Sequence, residues 1–365
     1  MDADKIRNRL KKNAAARVML MTLSLVYAAA AAARKALYGL GILKSRTLGA
    51  PVVCFGNIST GGTGKTSTVA AAAIELSKAG KKPAILMRGY KRGAPAKKLT
   101  VLAGPGQFSS AEAGDEAFML YNLVKDALIP VMVCADRCRA GAEAIEKYGC
   151  DILLMDDGLQ HFALRRNLDI ILVNAAAPFY KDSRLPLGNL REGSSAFKRA
   201  GAVIISHCER AGPGEIDEIT ARIKKINPDA VVMKSCHRPD VFIDAVSNKA
   251  MPLTALNGRE AAAFSGIGDP ESFEEALKSL GVRLKQIWRY PDHHRFTSPE
   301  LRALENSRGG AAAVTTYKDF VRFPAGWREE LREKVYILSV KISFLGDGAG
   351  LFMAALLSAE KRRPQ

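Results

Sequence analysis

Between residue 51 and about residue 235, short apolar runs alternate with longer, partly polar segments. Strands that are buried on both faces read as continuous apolar runs, whereas the helices between them carry apolar residues on one face. The alternation therefore predicts an α/β fold with a mostly parallel sheet. The predicted strands are residues 52–55, 83–87, 130–134, 152–155, 170–173, 202–205 and 231–234, and a helix at 67–79 is predicted after the first of them.

A second alternation follows residues 237–254, a predicted connector that contains Pro239 and Pro252. Proline breaks helices and inner strands, so a connector is favoured there. Beyond it, the pattern predicts a second, smaller α/β domain. Its predicted strands are 254–256, 285–288, 312–315 and 335–340, and its predicted helices are 272–280 and a segment from Ser298.

Residues 18–33 carry no charge, and basic residues flank them on both sides. At about 1.5 Å per residue this run makes a helix of roughly 24 Å, which is shorter than the roughly 30 Å hydrocarbon core of a bilayer. The pattern is typical of a helix that lies in the membrane interface or inserts partway. The alternative is an alanine-rich helix that packs on the domain.

Composition excludes a disordered or fibrous chain, because 48% of the residues are hydrophobic and 25% are charged. The net charge of +17 indicates an anionic partner, which is a nucleic acid, a membrane surface or a phosphorylated substrate. Aromatic residues are not interleaved with basic motifs, so we expect no nucleic acid. The six cysteines are scattered without a zinc-ligand set, which indicates reduced thiols in a cytosolic compartment.

A glycine-rich segment follows the first predicted strand and precedes its helix, where a phosphate-binding turn belongs. Its candidate nucleotide-binding residues are Thr60, Gly61, Gly62, Thr63, Gly64, Lys65 and Thr66. In such a loop, Lys65 contacts the β- and γ-phosphates and Thr66 holds magnesium. Ser59 stands where the first glycine of the usual motif would be. The lysine that membrane-cycling ATPases place at the position of Thr60 is absent, which counts against that class.

Asp156 and Asp157 end another predicted strand, 152–155, where a nucleotide-bound magnesium needs carboxylates. We predict that Asp156 binds the metal and that Asp157 has a catalytic or supporting role; a cap of the following turn is the alternative for Asp157. His161 orients a carboxylate or contacts the substrate, or is structural.

Transfer of a phosphoryl group to an alcohol needs a group that takes the hydroxyl proton. Asp115, with Glu116 beside it, follows a Gly/Pro/Ser-rich loop and begins an apolar helix, so it is the candidate base; a helix cap is the alternative. In the second domain, Asp292, His293 and His294 form a dense polar cluster. A histidine that hydrogen-bonds Asp115 across a domain cleft would support the base, and metal binding lacks further ligands nearby.

In order along the chain, these motifs resemble the tetraacyldisaccharide 4'-kinase family, the lipid A 4'-kinases, from the N-terminal helix to about Phe323. The matching motifs are residues 56–66, Arg-Gly-Tyr at 88–90, Gly-Asp-Glu at 114–116, Asp-Arg at 136–137, Asp-Asp-Gly-Leu-Gln-His at 156–161, residues 184–192, Ser-Gly-Ile-Gly-Asp-Pro at 265–270, Pro-Asp-His-His at 291–294 and Thr-Thr-Tyr-Lys-Asp at 315–319.

The resemblance implies an enzyme that uses ATP and Mg²⁺ to phosphorylate the 4'-hydroxyl of a lipid-linked glucosamine disaccharide 1-phosphate. By motif, Asp115 is the base with His293 supporting it, Asp156 and Asp157 serve the metal and the γ-phosphate, and the N-terminal helix is a membrane element. The implied residues that line the substrate site are Tyr90, Glu116, Arg137, His161 and Glu192.

The expected partners are an anionic glycolipid and the cytoplasmic face of the bacterial inner membrane, without an obligate protein partner. The predicted parts are a membrane-associated helix at 1–45, a P-loop kinase domain at 46–236, the connector 237–254, a smaller α/β domain at 255–345 and a C-terminal helix or tail at 346–365. Two other functions remain possible: a membrane-associated P-loop ATPase switch without a lipid acceptor, and a soluble small-metabolite kinase.

Overall fold

The chain divides into two units, each with its own hydrophobic core, in a computed structural model that describes residues 7, 9–90, 92–106 and 108–365. Unit 1 comprises Met1–Phe108, Leu120–His237 and Ile342–Gln365, and unit 2 comprises Ser109–Met119 and Arg238–Lys341. The change of unit at His237 lies at the start of the predicted connector. The two units are described separately below.

Unit 1 is built around a mostly parallel sheet in the order β8-β7-β6-β1-β5-β2-β4-β3, in which only β3 runs antiparallel to its neighbour. The strands are β1 (Val52–Asn57), β2 (Pro83–Met87), β3 (Thr100–Leu102), β4 (Val131–Val133), β5 (Ile152–Met155), β6 (Leu168–Asn174), β7 (Ala202–Ser206) and β8 (Val231–Asp244), of which β8 continues into unit 2. Most of the inner strands are apolar throughout because both faces are buried.

Helices connect these strands, as a parallel sheet requires. The N-terminal helix α1 (Ala14–Gly39) precedes β1, and the connecting helices are α2 (Lys65–Lys78), α3 (Ser110–Ala113), α4 (Asp115–Val124), α5 (Arg137–Tyr148) and α6 (Pro213–Ile226). Helix α3 and the first turn of α4 belong to unit 2. All six cysteines are buried free thiols, in agreement with the expectation from sequence.

Unit 2 contains a parallel sheet in the order β11-β10-β12-β13. Its elements are β9 (Ala250–Met251), β10 (Glu260–Ser265), α7 (Pro270–Ser279), β11 (Arg283–Arg289), α8 (Ser298–Ser307), β12 (Ala312–Thr316), α9 (Tyr317–Phe320), α10 (Trp327–Glu330) and β13 (Val335–Phe344). The chain returns to unit 1 at Ile342, within β13, and then forms α11 (Gly348–Ser358). The predicted mostly parallel α/β fold is confirmed.

Two sequence predictions for the region where unit 2 begins, between residues 237 and 265, are wrong. The predicted strand at 254–256 is a 3₁₀ turn, Leu253–Leu256, and the strand of this region is β10, whose run Glu-Ala-Ala-Ala-Phe-Ser was not recognised. The predicted connector is partly strand, because β8 extends to Asp244 and pairs with β9. Alanine has little strand preference, so burial by its neighbours decides the conformation of β10.

Helix α1 extends the apolar run at both ends to 26 residues, which makes it long and apolar enough to cross a membrane. The helix is therefore longer than the uncharged run at 18–33, from which the length of roughly 24 Å was calculated. Leu20 and Ser24 are its buried residues. Ser24 Oγ lies 3.1 Å from both Arg184 O and Leu187 N. Much of the remaining apolar surface is exposed, with Leu25 at 72% and Val26 at 61%.

Candidate functional site

The glycine-rich loop runs from the end of β1 to the start of α2, as predicted. Lys65 is the first residue of α2, and its Nζ lies 3.1 Å from Asn57 Oδ1 at the end of β1. The hydroxyl of Thr63 is buried and has no hydrogen-bond partner among the residues that the structure describes. Backbone N–H groups at a helix N-terminus attract anions. The loop therefore has the form of a phosphate site.

Gly64 adopts a left-handed conformation at the N-terminal cap of α2, with φ at 73°. This conformation costs little only for glycine. A Cβ at this position would also lie 2.3 Å from the ring of His237, so the imidazole occupies the space that a side chain would need. Gly64 is thus required both by the backbone turn and by the close approach of His237.

Asp156 and Asp157 follow β5, which pairs in parallel with β1. The carboxyl ends of parallel strands meet at one edge of a sheet, so the two carboxylates lie beside the glycine-rich loop. Both carboxylate oxygens of Asp157 accept hydrogen bonds from Arg191 Nη1, at 2.9 and 2.8 Å, and Lys65 Nζ lies 3.6 Å away. Asp156 is only 4% exposed.

Asp157 carries its charge between two cations. Burial alone would raise the pKa of this carboxyl group, but the positive charges of Lys65 and Arg191 outweigh burial and hold the pKa below its ordinary value. Asp157 also has a positive φ of 47°, which is uncommon for a residue other than glycine. Strained backbone of this kind clusters at functional sites.

The segment 184–192 is tied to the start of the glycine-rich loop by its backbone. Thr60 N donates to Asn189 O at 2.7 Å, and Arg191 N donates to Ile58 O at 2.7 Å. Glu192 accepts hydrogen bonds from Gln160 Nε2 at 2.9 Å and from Arg199 Nη2 at 2.8 Å. The structure therefore brings Arg191 and Glu192 to the loop although more than 120 residues separate them in sequence.

Burial lowers the pKa values of the Arg137 and His161 side chains. Burial, with repulsion from Arg88, lowers the pKa of Arg137 to about 10, so this guanidinium stays charged at neutral pH. Burial, with repulsion from Arg137 and Arg166, lowers the pKa of His161 to about 4 and keeps it neutral. His161 Nε2 is buried without a hydrogen-bond partner in the described part of the chain. Tyr90, by contrast, is 70% exposed.

Asp115, Glu116 and His293 lie in unit 2, whereas the other predicted site residues lie in unit 1. Asp115 is the first residue of α4 and Glu116 beside it is exposed. Asp115 and His293 are joined through Arg322, whose Nε donates to Asp115 Oδ2 at 3.2 Å and whose Nη2 lies 3.0 Å from His293 Nδ1. The predicted direct contact between Asp115 and His293 is replaced by this arginine bridge.

The two histidines of the cluster at 292–294 have different partners. His293 has a positive φ of 63° and contacts Arg322. His294 Nε2 lies 3.1 Å from both carboxylate oxygens of Glu300, which caps α8. His293 therefore shares a partner with Asp115, whereas His294 contacts the residue that caps α8.

A further group of possible metal ligands lies beside Gly64. His207, Glu209 and His237 place ligand atoms within 4.8 Å of one another. The two imidazole rings, however, are stacked with centroids 4.2 Å apart and planes 18° from parallel. The lone pair of each ring lies in the ring plane, so nearly parallel rings do not direct both lone pairs to one ion. We assign no metal to this group.

Sequence reasoning missed several residues that contact the predicted ones, among them Asn57, Gln160 and Arg322. Asn57 ends β1 and Gln160 lies inside the motif at 156–161, so their positions at the sheet edge were a usable signal. Arg322 follows the motif at 315–319 by three residues and resembles any exposed arginine in sequence. Arg191 lies inside the matching motif at 184–192 but was not among the predicted site residues.

Comparison with known proteins gives consistent matches over nearly the whole chain. The model of the tetraacyldisaccharide-1-P 4'-kinase family matches residues 16–359. A protein of Elusimicrobium minutum named tetraacyldisaccharide 4'-kinase is 41% identical over 347 residues, which are 95% of this chain and 92% of that protein. One of the same name from Anaeromyxobacter sp. strain K is 36% identical, over 93% of this chain and 89% of its own.

A solved structure is similar as well. It is described as the "apo" form of LpxK from Aquifex aeolicus in complex with ATP. The TM-score is 0.74 at 29% sequence identity, and the match covers 94% of this chain and 99% of that one. The similarity therefore includes both units.

Proposed function

Because the chain belongs to the tetraacyldisaccharide 4'-kinase family, we propose that it transfers the γ-phosphate of ATP to the 4'-hydroxyl of a tetraacyl glucosamine disaccharide 1-phosphate. The observation that carries the proposal is the set of charges at the glycine-rich loop. Lys65, Arg191 and Asp157 converge at the N-terminus of α2, where phosphates bind. The product is a precursor of lipid A.

In this reaction, the loop from Thr60 to Thr66 binds the triphosphate. Its backbone N–H groups and the hydroxyl of Thr63 face phosphate oxygens, and Lys65 balances charge on the β- and γ-phosphates. The cation pair around Asp157 suits this role, because ATP brings negative charge that competes with Asp157 for Lys65 and Arg191. Arg191 is then available to stabilise the transferred phosphoryl group.

The residues present fit a magnesium ion. Thr66 and Asp156 offer a hydroxyl and a carboxylate oxygen, which are the donors that Mg²⁺ prefers, and both follow neighbouring parallel strands. A bound Mg²⁺ neutralises charge on the phosphates. Thr66 and Asp156 are the proposed ligands, and Asp157 orients the groups around the γ-phosphate.

Asp115 is the proposed base that takes the proton of the 4'-hydroxyl, and His293 supports it. The carboxylate is partly exposed, at 21% of its side chain, and can therefore accept a proton from a substrate hydroxyl. Tyr90, Glu116, Arg137, His161 and Glu192 are the proposed contacts of the glycolipid. The charged guanidinium of Arg137 suits an anionic sugar phosphate.

The substrate carries acyl chains, so we place the protein on the cytoplasmic face of the inner membrane as a peripheral or monotopic protein. Helix α1 supports this placement, because no other part of the described chain buries its exposed apolar side chains. Basic residues at 9–17 and 34–46 flank it and suit anionic headgroups.

The membrane placement is tested by vesicle binding of a Leu25→Glu, Val26→Glu variant. Burying two apolar side chains contributes several kcal/mol, so binding to vesicles of phosphatidylethanolamine and phosphatidylglycerol should fall at least about tenfold. Leu128→Glu is the matched control, since Leu128 is equally exposed, at 70%, but distant in sequence from α1. Equal loss in both proteins, or no loss in either, would contradict the role of α1.

The reaction is tested with two acceptors in mixed micelles with ATP and Mg²⁺: the tetraacyldisaccharide 1-phosphate and its 4'-deoxy analogue. The expected result is a bisphosphorylated lipid from the first acceptor and no product from the second. Phosphorylation of both would disprove the assignment of the 4'-hydroxyl. ATP hydrolysis without any lipid product would favour the ATPase switch instead.

A further inference from the structure

Arg322 lies at the centre of a set of contacts in unit 2. Its Nε donates to Asp115 Oδ2 at 3.2 Å, and its Nη2 lies 3.0 Å from His293 Nδ1. The side chain is only 4% exposed. The guanidinium is therefore shielded from bulk water, which strengthens its charge-assisted hydrogen bonds, whereas the side chain of His293 is 55% exposed.

The chemistry of the guanidinium decides the direction of the contact with His293. Arginine has five N–H donors, no acceptor, and stays protonated. Nη2 must donate, so His293 Nδ1 must be the acceptor. A neutral imidazole with a lone pair on Nδ1 carries its proton on Nε2. The contact thus selects the Nε2–H tautomer of His293.

Backbone and carboxylate contacts hold the guanidinium itself in place. Nη1 donates to Gly266 O at 3.3 Å and lies 3.6 Å from Asp319 Oδ1. Asp319 is fully buried and accepts a hydrogen bond from Gly266 N at 3.0 Å. Gly266 O in turn accepts His293 N at 3.1 Å. The loops after β10, β11 and β12 therefore meet around Arg322.

We propose that Arg322 is a positioning residue of the phosphotransfer reaction: it fixes Asp115 and His293 relative to each other and holds His293 as the Nε2–H tautomer. The inference rests on the proposed function, since it concerns the proposed base and its supporting histidine. One oxygen of Asp115 binds Arg322, which leaves the other for the substrate hydroxyl. The exposed Nε2–H of His293 is a fixed donor.

The tautomer is measured by long-range ¹⁵N–¹H NMR of the full chain labelled at its five histidines. The His293 signals are identified by their loss in His293→Asn. In the wild type, Nδ1 should be unprotonated and Nε2 protonated. Arg322→Met removes the donor and should produce a mixture of tautomers. A wild type with a proton on Nδ1, or an Arg322→Met spectrum identical to it, would overturn the proposal.

Kinetics provide the second readout, with Arg322→Lys as the conservative variant. Lysine keeps the charge and the fold, but its single ammonium group cannot reach Asp115, His293 and Gly266 together. We expect kcat to fall about 100-fold while KM for ATP changes less than about threefold, because the hydrogen-bond partners of Arg322 are Asp115, His293 and Gly266, none of which is a predicted nucleotide-binding residue. A KM increase with unchanged kcat would contradict positioning.

Arg308→Lys is the matched control. Arg308 is also buried in unit 2, with its side chain 2% exposed. Its partners are Glu305 and the carbonyl oxygens of Ala311 and Glu333, none of which is a predicted site residue. It should lose stability without changing kcat or the tautomer of His293. An equal loss of kcat in both variants would show that Arg322 acts only through stability. A wild type without lipid kinase activity would refute the proposed function, while the NMR result would still decide the tautomer.

Discussion

Asp157 accepts hydrogen bonds from Arg191 and lies 3.6 Å from Lys65, so its charge organises both cations at the glycine-rich loop. Asparagine has nearly the same shape without the charge. We expect Asp157→Asn to lower kcat about 100-fold or more, because misplaced cations stabilise the transferred phosphoryl group poorly. Steady-state kinetics with the lipid acceptor measure this.

Asp151→Asn is the control for that variant. Asp151 precedes the same strand, β5, and its Oδ1 accepts a hydrogen bond from the backbone N–H of Lys82 at 2.7 Å. Its substitution should leave kcat within about twofold. A similar loss of kcat in both variants would mean that disturbance of β5, rather than loss of the charge of Asp157, lowers the activity.

His161 makes the stability of unit 1 depend on pH. Its pKa is lowered from 6.5 to about 4 in the folded protein, chiefly by burial. The unfolded chain therefore binds a proton that the folded one does not, so this contribution to stability is complete above pH 6.5 and is lost as pH falls toward 4. His161→Gln should weaken the pH dependence of unfolding in this range.

Denaturant unfolding of the wild type and His161→Gln, at pH 7 and pH 5, measures this effect. The midpoint of the wild type should fall more between the two pH values than that of the variant. An equal fall in both proteins would show that other groups cause the loss of stability.

At the scale of elements, the turn between β1 and α2 depends on one glycine. Gly64→Ala combines a φ of 73° with a Cβ 2.3 Å from His237. We expect ATP affinity to fall at least about tenfold, because the loop or His237 must move. Gly49→Ala is the control outside the loop, since no heavy atom lies within 4 Å of a Cβ at this position.

Calorimetric titration with ATP compares these two variants. Gly49→Ala should bind ATP with an affinity within about threefold of the wild type, since a Cβ there meets no neighbour and Gly49 lies outside the phosphate loop. If Gly64→Ala binds ATP as the wild type does, the glycine is not required for the phosphate site.

Much of unit 1 was predictable from sequence because its strands are apolar and its motifs follow them directly. The strands at 83–87 and 152–155 agree with β2 and β5 at both ends. Strand β10 was missed because three alanines dominate it, and 254–256 was mistaken for a strand although it forms a 3₁₀ turn. The local conformational preference is weak in both segments, so tertiary packing determines whether each forms a strand or a turn.

Contacts between distant segments were not predictable. Ser109–Met119 joins unit 2 although more than 100 residues separate it from Arg238. Arg322 joins Asp115 to His293 across 207 and 29 residues. A single sequence carries no local signal for such pairs, because hydrophobic periodicity reports burial rather than the partner. Sequence analysis identified Asp115 and His293 but not Arg322, which joins them.

For the whole molecule, the charge of +17 and the exposed apolar face of α1 agree with an anionic lipid as substrate. The charge alone allowed a nucleic acid or a membrane, and membership of the kinase family supports the glycolipid. A kinase of this kind must couple each ATP to an acceptor, whereas an ATPase switch has no acceptor.

The decisive measurement is the ratio of lipid phosphorylated to ATP consumed by the full-length protein, in mixed micelles that contain tetraacyldisaccharide 1-phosphate. We predict a ratio of about one with the lipid present and little ATP consumption without it, since the acceptor hydroxyl is the nucleophile. ATP consumed at the same rate with and without the lipid, with no phosphorylated lipid formed, would contradict the assignment as a lipid kinase.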